Sequence, residues 1–208
     1  PMLYSLNDER EMGQVYVAQY INALGSKLLS PSTHPEVWDY CNTICTALKE
    51  QFKPLSRYDW RVAIVDSEEV SISSAPGGFI VLTAGLLKEL KNEAELAGLI
   101  AYEMALVWRR IHILVHYEVM TRPTNKKAFL RLIKDSLNDK KANAALFKSM
   151  KNKGPKAMDI LLRGHIGNMR HIEADRIACE LMVRVGYRPK EYQSALKRLT
   201  VKGKWKFR

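Results

Sequence analysis

One stretch of the chain decides the fold: Glu95-Leu-Ala-Gly-Leu-Ile-Ala-Tyr-Glu-Met-Ala-Leu-Val-Trp108. Beyond its first residue, this apolar run contains one charged side chain, Glu103. Asn92 precedes the run as a typical N-cap, with Glu95 as its partner at the third helical position. The pattern predicts a long helix over about residues 92–119.

The periodicity of the chain changes before and after this helix. Helical patterns and then short β patterns with a Pro-Gly-Gly turn precede it, and three further helical patterns follow it. The predicted helices cover about residues 5–29, a second segment to about 52, 84–90, 124–150, 157–185 and 189–199, and the predicted strands cover 60–65, 70–73 and 79–82.

We therefore expect an α+β fold that is mainly α, with one small sheet at about residues 60–82. The length of 208 residues fits a single domain over residues 1–200, followed by a basic tail at 201–208. No apolar run reaches the roughly 20 residues that span a bilayer, so no transmembrane segment is expected in this chain. Pro1 is no initiator, and we expect the sequence to be part of a longer or processed chain.

Three blocks of sequence resemble a known enzyme family. They are Ser74-Ala-Pro-Gly-Gly-Phe-Ile-Val-Leu-Thr-Ala-Gly-Leu-Leu87, the helix from Glu93 to Val107, and His171-Ile-Glu-Ala-Asp-Arg-Ile-Ala-Cys-Glu-Leu-Met-Val-Arg-Val-Gly-Tyr-Arg-Pro189. In this order they are similar to the gluzincin metallopeptidases of family forty-eight, the group of HtpX, the CaaX prenyl proteases and mitochondrial inner-membrane proteases. The resemblance implies a zincin-like scaffold whose long helix bears an H-E-x-x-H zinc motif.

The resemblance also locates the zinc ligands of the family, and all three are substituted here. The two histidines of the motif fall on Tyr102 and Leu106, and the third ligand, a glutamate, falls on His171. The general-base glutamate is retained as Glu103, and Asp175 matches a carboxylate that orients a metal ligand. A phenol and an isobutyl group cannot replace two imidazoles at a zinc ion. We therefore expect no zinc, no other cofactor and no proteolysis from this degenerate site.

The two retained carboxylates are instead expected to belong to a polar, hydrogen-bonded cluster that joins two helices, because buried carboxylates are costly unless paired. Their expected partners are Tyr102, His171 and Arg170 or Arg176.

The resemblance also implies that the Pro-Gly-Gly turn belongs to a peptide-binding groove of the family. In active relatives the strand beside it receives an extended peptide by strand addition. Pro76, Gly77, Gly78 and Phe79 are therefore a predicted remnant of a peptide groove. Three occupants remain open for it: a peptide, a partner subunit, or the chain itself.

The net charge of +11 is confined to two segments. Residues 122–156 carry 11 basic and two acidic side chains, and residues 188–208 carry eight basic and one acidic, whereas residues 1–121 have a net charge of −5. Such segregation favours a polyanionic partner, either an RNA backbone or an acidic protein surface. The candidate contacts are Arg122, Lys126, Lys127, Lys151, Lys153, Lys156, Lys202, Lys204, Lys206 and Arg208.

These observations favour a pseudoprotease that serves as a structural or assembly subunit of a large complex. The charge fits the mitochondrial ribosome or one of its assembly intermediates best, which places the protein in the matrix or on the matrix face of the inner membrane. The alternatives are an accessory subunit of a respiratory or ATP-synthase complex, a peptide-binding regulator, a cytoplasmic location, and, last, an active zinc endopeptidase with a rebuilt site.

Overall fold

The computed structural model describes residues 4–114 and 168–201. Its backbone divides into two compact units, of which one comprises Pro1–Ile111 with Gly167–Arg208 and the other comprises His112–Ile166. Almost all described residues belong to the first unit, and its architecture follows.

Helices dominate the first unit, and one small sheet lies between them. This arrangement confirms the predicted α+β, mainly α fold class. The described elements are α1 (Leu6–Ala23), α2 (Pro35–Glu50), a 3-10 helix (Lys53–Arg57), β1 (Arg61–Val65), β2 (Ile72–Ala75), β3 (Phe79–Thr83), α3 (Ala84–Glu89), α4 (Glu93–Trp108), α5 (Asn168–Arg184) and α6 (Pro189–Val201).

The three strands form a mixed sheet in the order β1-β3-β2. β1 and β3 run parallel, and β2 and β3 form a hairpin in which Ser74 lies opposite Ile80. The hairpin turns tightly because Gly77 and Gly78 both have positive φ, at 82° and 97°, a conformation that favours glycine. The sheet lies where the sequence predicted it, at residues 61–83 instead of 60–82.

The two faces of the sheet are covered by different helices. Side chains alternate along a strand, so Phe79 and Ser74 point to opposite faces in this register. α1 packs on the Phe79 face, where its Gly13 adjoins the Phe79 ring, and α4 packs on the Ser74 face.

α4 is the central helix of the unit. Every residue from Glu95 to Val107 is buried, because α2, α5, α6 and the sheet all pack around it. A helix that is apolar on all sides is expected to be buried in this way. Its first turn is capped as predicted, since Asn92 Oδ1 accepts a hydrogen bond of 3.0 Å from the Glu95 backbone N–H.

Two predicted helix ends are wrong. The central helix ends at Trp108, well before the predicted position 119, and α1 ends at Ala23 instead of 29. In the first case Arg110 adopts a left-handed φ of 54°, which interrupts the helix before residues 111–114 become helical again. In the second case Gly25 is left-handed with φ 61°, and Leu28 then pairs with β1.

The residue that interrupts the helix after Trp108 forms an ion pair with a distant acidic residue. Glu9 on α1 is 1% exposed, and its Oε1 lies 2.5 Å from Arg110 Nη2. The same guanidinium nitrogen donates a 2.7 Å hydrogen bond to the backbone oxygen of Tyr4. Burial raises the pKa of Glu9, and the charge of Arg110 acts in the opposite direction. The cation therefore offsets part of the cost of burying the Glu9 carboxyl group.

A second buried ion pair attaches α6 to the beginning of α4. Arg198 donates two hydrogen bonds to Glu95, of 2.8 Å to Oε1 and 2.6 Å to Oε2, and Glu95 is 1% exposed. Burial raises the pKa of Glu95, but the hydrogen bonds from Arg198 and from the Lys91 backbone N–H lower it by more, so the net pKa is below its ordinary value.

We expect Arg198→Met to lower the free energy of unfolding by about 3–5 kcal/mol, because it leaves the buried carboxylate of Glu95 without its cation. Lys197→Met, at an exposed neighbouring position, is the matched control and should change it by less than about 0.5 kcal/mol. Urea unfolding of both variants measures the difference.

The same ion pair predicts a pH dependence of stability. Because the folded-state pKa of Glu95 is lowered from 4.5, its contribution is complete above that pH and is lost as the pH falls through the folded-state pKa. Urea titrations between pH 7 and pH 3 should show this loss in the wild type and not in a Glu95→Gln/Arg198→Met double variant. Equal acid sensitivity of the two proteins would contradict the assignment.

Candidate functional site

The predicted site positions lie where α4 meets β2, α5 and α6. Glu103, at the general-base position, is 5% exposed and faces the hairpin edge of the sheet. Ser74 Oγ of β2 donates a hydrogen bond of 2.6 Å to Glu103 Oε2. The carboxylate is thus fixed to a strand by a charge-assisted hydrogen bond.

The first and third predicted ligand positions, Tyr102 and His171, are hydrogen-bonded to each other. The hydroxyl of Tyr102 on α4 and Nδ1 of His171 on α5 share a hydrogen bond. Their rings are parallel to within 3°, with centroids 6.2 Å apart. Two side chains that would otherwise converge on a metal ion instead join α4 to α5.

The second ligand position has no polar atom. Leu106 lies one turn beyond Tyr102 on α4 and is 3% exposed. It therefore contributes to the apolar core, and it cannot coordinate a metal.

The last of the five predicted site positions is Asp175, which is hydrogen-bonded to a residue of α6. Tyr192 donates a hydrogen bond of 2.7 Å to Asp175 Oδ1, and its ring lies against Gly98 of α4. A Cβ at Gly98 would overlap Tyr192, so this close approach of α4 and α6 requires glycine. The structure therefore brings all five predicted positions into one region, where hydrogen bonds connect α4, α5, α6 and β2.

The sequence predicted a polar cluster between two helices but not its partners. We expected Tyr102, His171, Arg170 or Arg176 beside the two carboxylates, whereas Ser74 bonds Glu103 and Tyr192 bonds Asp175. Alternation along β2 places Ser74 on the same side as the buried Ile72, which could have identified it. Likewise, the helical spacing of Tyr192, Ala195 and Leu199 places the phenol on the buried face of α6.

The residues at this site do not fit the zinc ion of an H-E-x-x-H helix. Such an ion needs three protein ligands around one point, but Leu106 has no donor atom and Tyr102 is hydrogen-bonded to His171 Nδ1. In residues 4–114 and 168–201, no group of three or more His, Cys, Asp or Glu side chains is arranged to hold a metal ion. The absence of zinc from the protein stays a prediction.

The thiols in this part of the chain are packing residues. Burial raises the pKa of Cys41 to about 11 and, as the main cause, that of Cys45 to about 12, so neither is an activated nucleophile. Cys45 Sγ lies 3.9 Å from Met104 Sδ on α4. Both cysteines belong to the interface of α2 with α4.

The predicted groove remnant is buried, from Pro76 through Phe79. α1 lies on the turn, because a Cβ at Gly77 would fall 2.5 Å from Arg10 Cα and one at Gly13 would overlap the backbone oxygen of Pro76. The turn itself is therefore covered by a helix of the same chain. Peptide binding along the neighbouring strand stays a prediction.

The ten candidate polyanion contacts lie outside the described residues. They fall in the segments 115–167 and 202–208. Their role also stays a prediction.

We expect Ser74→Ala to lower the free energy of unfolding by about 1–3 kcal/mol, because it removes a hydrogen bond from the buried carboxylate of Glu103. Ser73→Ala is the matched control, since Ser73 points to the opposite face of the same strand and is half-buried. Chemical unfolding of both variants tests this, and equal effects would show that the Ser74–Glu103 bond contributes nothing specific.

The helices that carry these positions can be compared with known proteins. In the described residues, no helix combines the length and the apolar character needed to cross a membrane. A search of curated proteins found no match to the chain. The family model described as Peptidase family M48 matches residues 43–203, which include the second half of α2, the sheet, α4, α5 and α6. This match covers well over half of the chain, and the protein therefore belongs to the M48 family of metallopeptidases.

Proposed function

We propose that this protein is a non-catalytic member of its metallopeptidase family and acts as a structural or assembly subunit of a larger complex. One observation carries the proposal. Tyr102 and His171, which occupy two zinc-ligand positions, are hydrogen-bonded to each other, and the remaining ligand position is Leu106.

The chemistry of peptide hydrolysis supports this reading. A catalytic zinc ion lowers the pKa of its bound water from 15.7 to about 7, and the neighbouring glutamate then removes a proton. Glu103 alone cannot produce hydroxide near neutral pH, and it already accepts a hydrogen bond from Ser74. The retained carboxylate is therefore better explained as a structural group than as a general base.

Hydrogen bonds at the predicted site positions also connect the surrounding elements. Tyr102–His171 joins α4 to α5, Tyr192–Asp175 joins α5 to α6, and Glu103–Ser74 joins α4 to the sheet. In a metalloprotease part of this function is performed by the metal ion and its ligands. Hydrogen bonds at the same positions maintain the scaffold, so its outer surface remains available for a partner.

We expect the purified protein to contain well under 0.1 zinc ion per chain and to lack peptidase activity. Restoring the ligands together, as Tyr102→His/Leu106→His/His171→Glu, should permit zinc binding, whereas each single change should not, because three protein ligands are required. Elemental analysis and cleavage of a labelled casein measure both properties.

Glu103→Gln serves as the control for residual catalysis. A trace activity that this change abolishes would contradict the proposal, because the carboxylate would then be the general base. About one zinc ion per wild-type chain after dialysis would contradict it equally.

The complex that we propose is a mitochondrial ribosome or one of its assembly intermediates, with the protein on the matrix side. The support is the segregation of charge, since residues 122–156 and 188–208 together hold a net +16 whereas residues 1–121 hold −5. Like charges on one chain repel each other, and a polyanion removes that cost. An accessory subunit of a respiratory or ATP-synthase complex is the alternative.

We expect Lys151→Gln/Lys153→Gln/Lys156→Gln to weaken association with the complex and to flatten its salt dependence. The log–log slope should fall by roughly 0.7–0.9 for each lost phosphate contact. The matched control removes three lysines from the acidic part of the chain, at Lys27, Lys88 and Lys91. Sedimentation of tagged variants with the complex at several salt concentrations measures both effects.

Deletion of residues 201–208 is an independent arm of this experiment. We expect the truncated protein to keep its thermal unfolding temperature and to enter the complex less efficiently, because the tail alternates basic and aromatic residues. If the triple variant and the truncation both associate like the wild type, the polyanion part of the proposal is wrong.

A further inference from the structure

The described surface contains a basic and aromatic cluster that lies outside the degenerate site and outside the basic segments of the sequence. Phe52, which follows α2, packs edge to face against Trp108 at the end of α4, with centroids 4.8 Å apart. The guanidinium of Arg184 lies 5.7 Å from the Phe52 ring centroid, and that of Arg109 lies 5.6 Å from the Trp108 centroid. We call these four residues the Arg–aromatic surface.

Three elements hold the Arg–aromatic surface in place. Arg184 in the last turn of α5 donates a hydrogen bond of 3.3 Å to the backbone oxygen of Gln51. Arg109 forms an ion pair of 2.8 Å with Glu173 on α5. The cations are thus fixed beside the rings, which reduces the entropy that they would lose on binding a ligand.

Both guanidinium groups retain N–H donors that can bind an anion. Arg109 and Arg184 are exposed, and each guanidinium has five N–H groups, of which these contacts use only a part. In the described part of the chain, the ion pair with Glu173 is the only one made by either arginine. Both rings are half-buried, so part of each ring remains at the surface.

The sequence that follows α2 at the Arg–aromatic surface is more basic than the rest of residues 1–121. Residues 1–121 are net acidic, but residues 49–57 carry three cations, Lys49, Lys53 and Arg57, and one anion, Glu50. Lys53 and Arg57 are exposed on the 3-10 helix that follows Phe52. Phe52 is therefore followed in the sequence by additional exposed positive charge.

We propose that the Arg–aromatic surface binds single-stranded RNA, with the arginines on backbone phosphates and the rings beside the bases. Proteins bind single strands through cations that follow the backbone and aromatic rings on which bases stack. An acidic protein could use the same arginines and rings, so it is the alternative outcome of the test below. This inference rests on the proposed function in an RNA-containing complex, and it names a contact surface for it.

The test is fluorescence anisotropy of the full-length protein with a labelled oligouridine of twelve nucleotides over a range of salt concentrations. We expect Arg109→Gln/Arg184→Gln to weaken binding by about fivefold or more, and the log–log salt slope to fall by up to about 1.4 for two lost phosphates. Lys27→Gln/Lys88→Gln removes the same charge from exposed positions in the acidic part of the chain and should have a clearly smaller effect on both quantities.

Two further variants separate charge from stacking. Arg109→Lys/Arg184→Lys keeps the charge but not the planar group, so it should retain the salt slope while affinity falls. Trp108→Phe keeps a ring against Phe52, and RNA should quench less tryptophan fluorescence in this variant than in the wild type. Circular dichroism melting of each variant verifies that it is folded.

Several outcomes would overturn the inference. They are no binding of oligouridine by the wild type, equal losses in the Arg109/Arg184 and Lys27/Lys88 double variants, and quenching that does not depend on Trp108. Binding of polyglutamate, but not of oligouridine, in a manner that requires Arg109 and Arg184 would assign the surface to an acidic protein instead. Zinc content and peptidase activity are measured separately, so failure here is distinguishable from failure of the proposed non-catalytic role.

Discussion

The burial of α4 on every side is the constraint on which the rest of the structure depends. A helix without a solvent-facing side can retain a polar group only if another element supplies a partner. Each ionisable or hydroxyl side chain on the buried part of α4 has such a partner: Glu95 has Arg198 from α6, Tyr102 has His171 from α5, and Glu103 has Ser74 from β2. These three bonds fix the positions of the surrounding elements relative to one helix.

The elements that could be predicted from the sequence are those whose signals are local. The apolar run of α4, the Asn92 cap, the Pro-Gly-Gly turn and the glycine at 186, which has a φ of 87° just after α5, are each visible within a few residues. The elements that could not be predicted depend on distant partners. Arg110 interrupts the helix with a left-handed φ and pairs with Glu9, about a hundred residues away, and no local pattern indicates this pairing.

The same distinction between local signals and distant partners applies to the candidate site. The five positions Tyr102, Glu103, Leu106, His171 and Asp175 were located through their resemblance to a family motif, and the structure brings them together. Their actual partners were missed, because Ser74 and Tyr192 belong to elements whose register on α4 is set by packing. The residue types at the site suggested a loss of metal chemistry, but only the structure identified the hydrogen bonds that these residues form.

The Glu95–Arg198 pair has a consequence for the synthesis of the protein. The two residues are 103 positions apart, so Glu95 leaves the ribosome well before its cation exists. Until α6 emerges, burial of the start of α4 would leave a charge without compensation, which makes early docking of that turn unfavourable. Native contacts of such long sequence separation also slow folding. The nascent chain is therefore expected to keep the start of α4 accessible to chaperones until translation has passed residue 198.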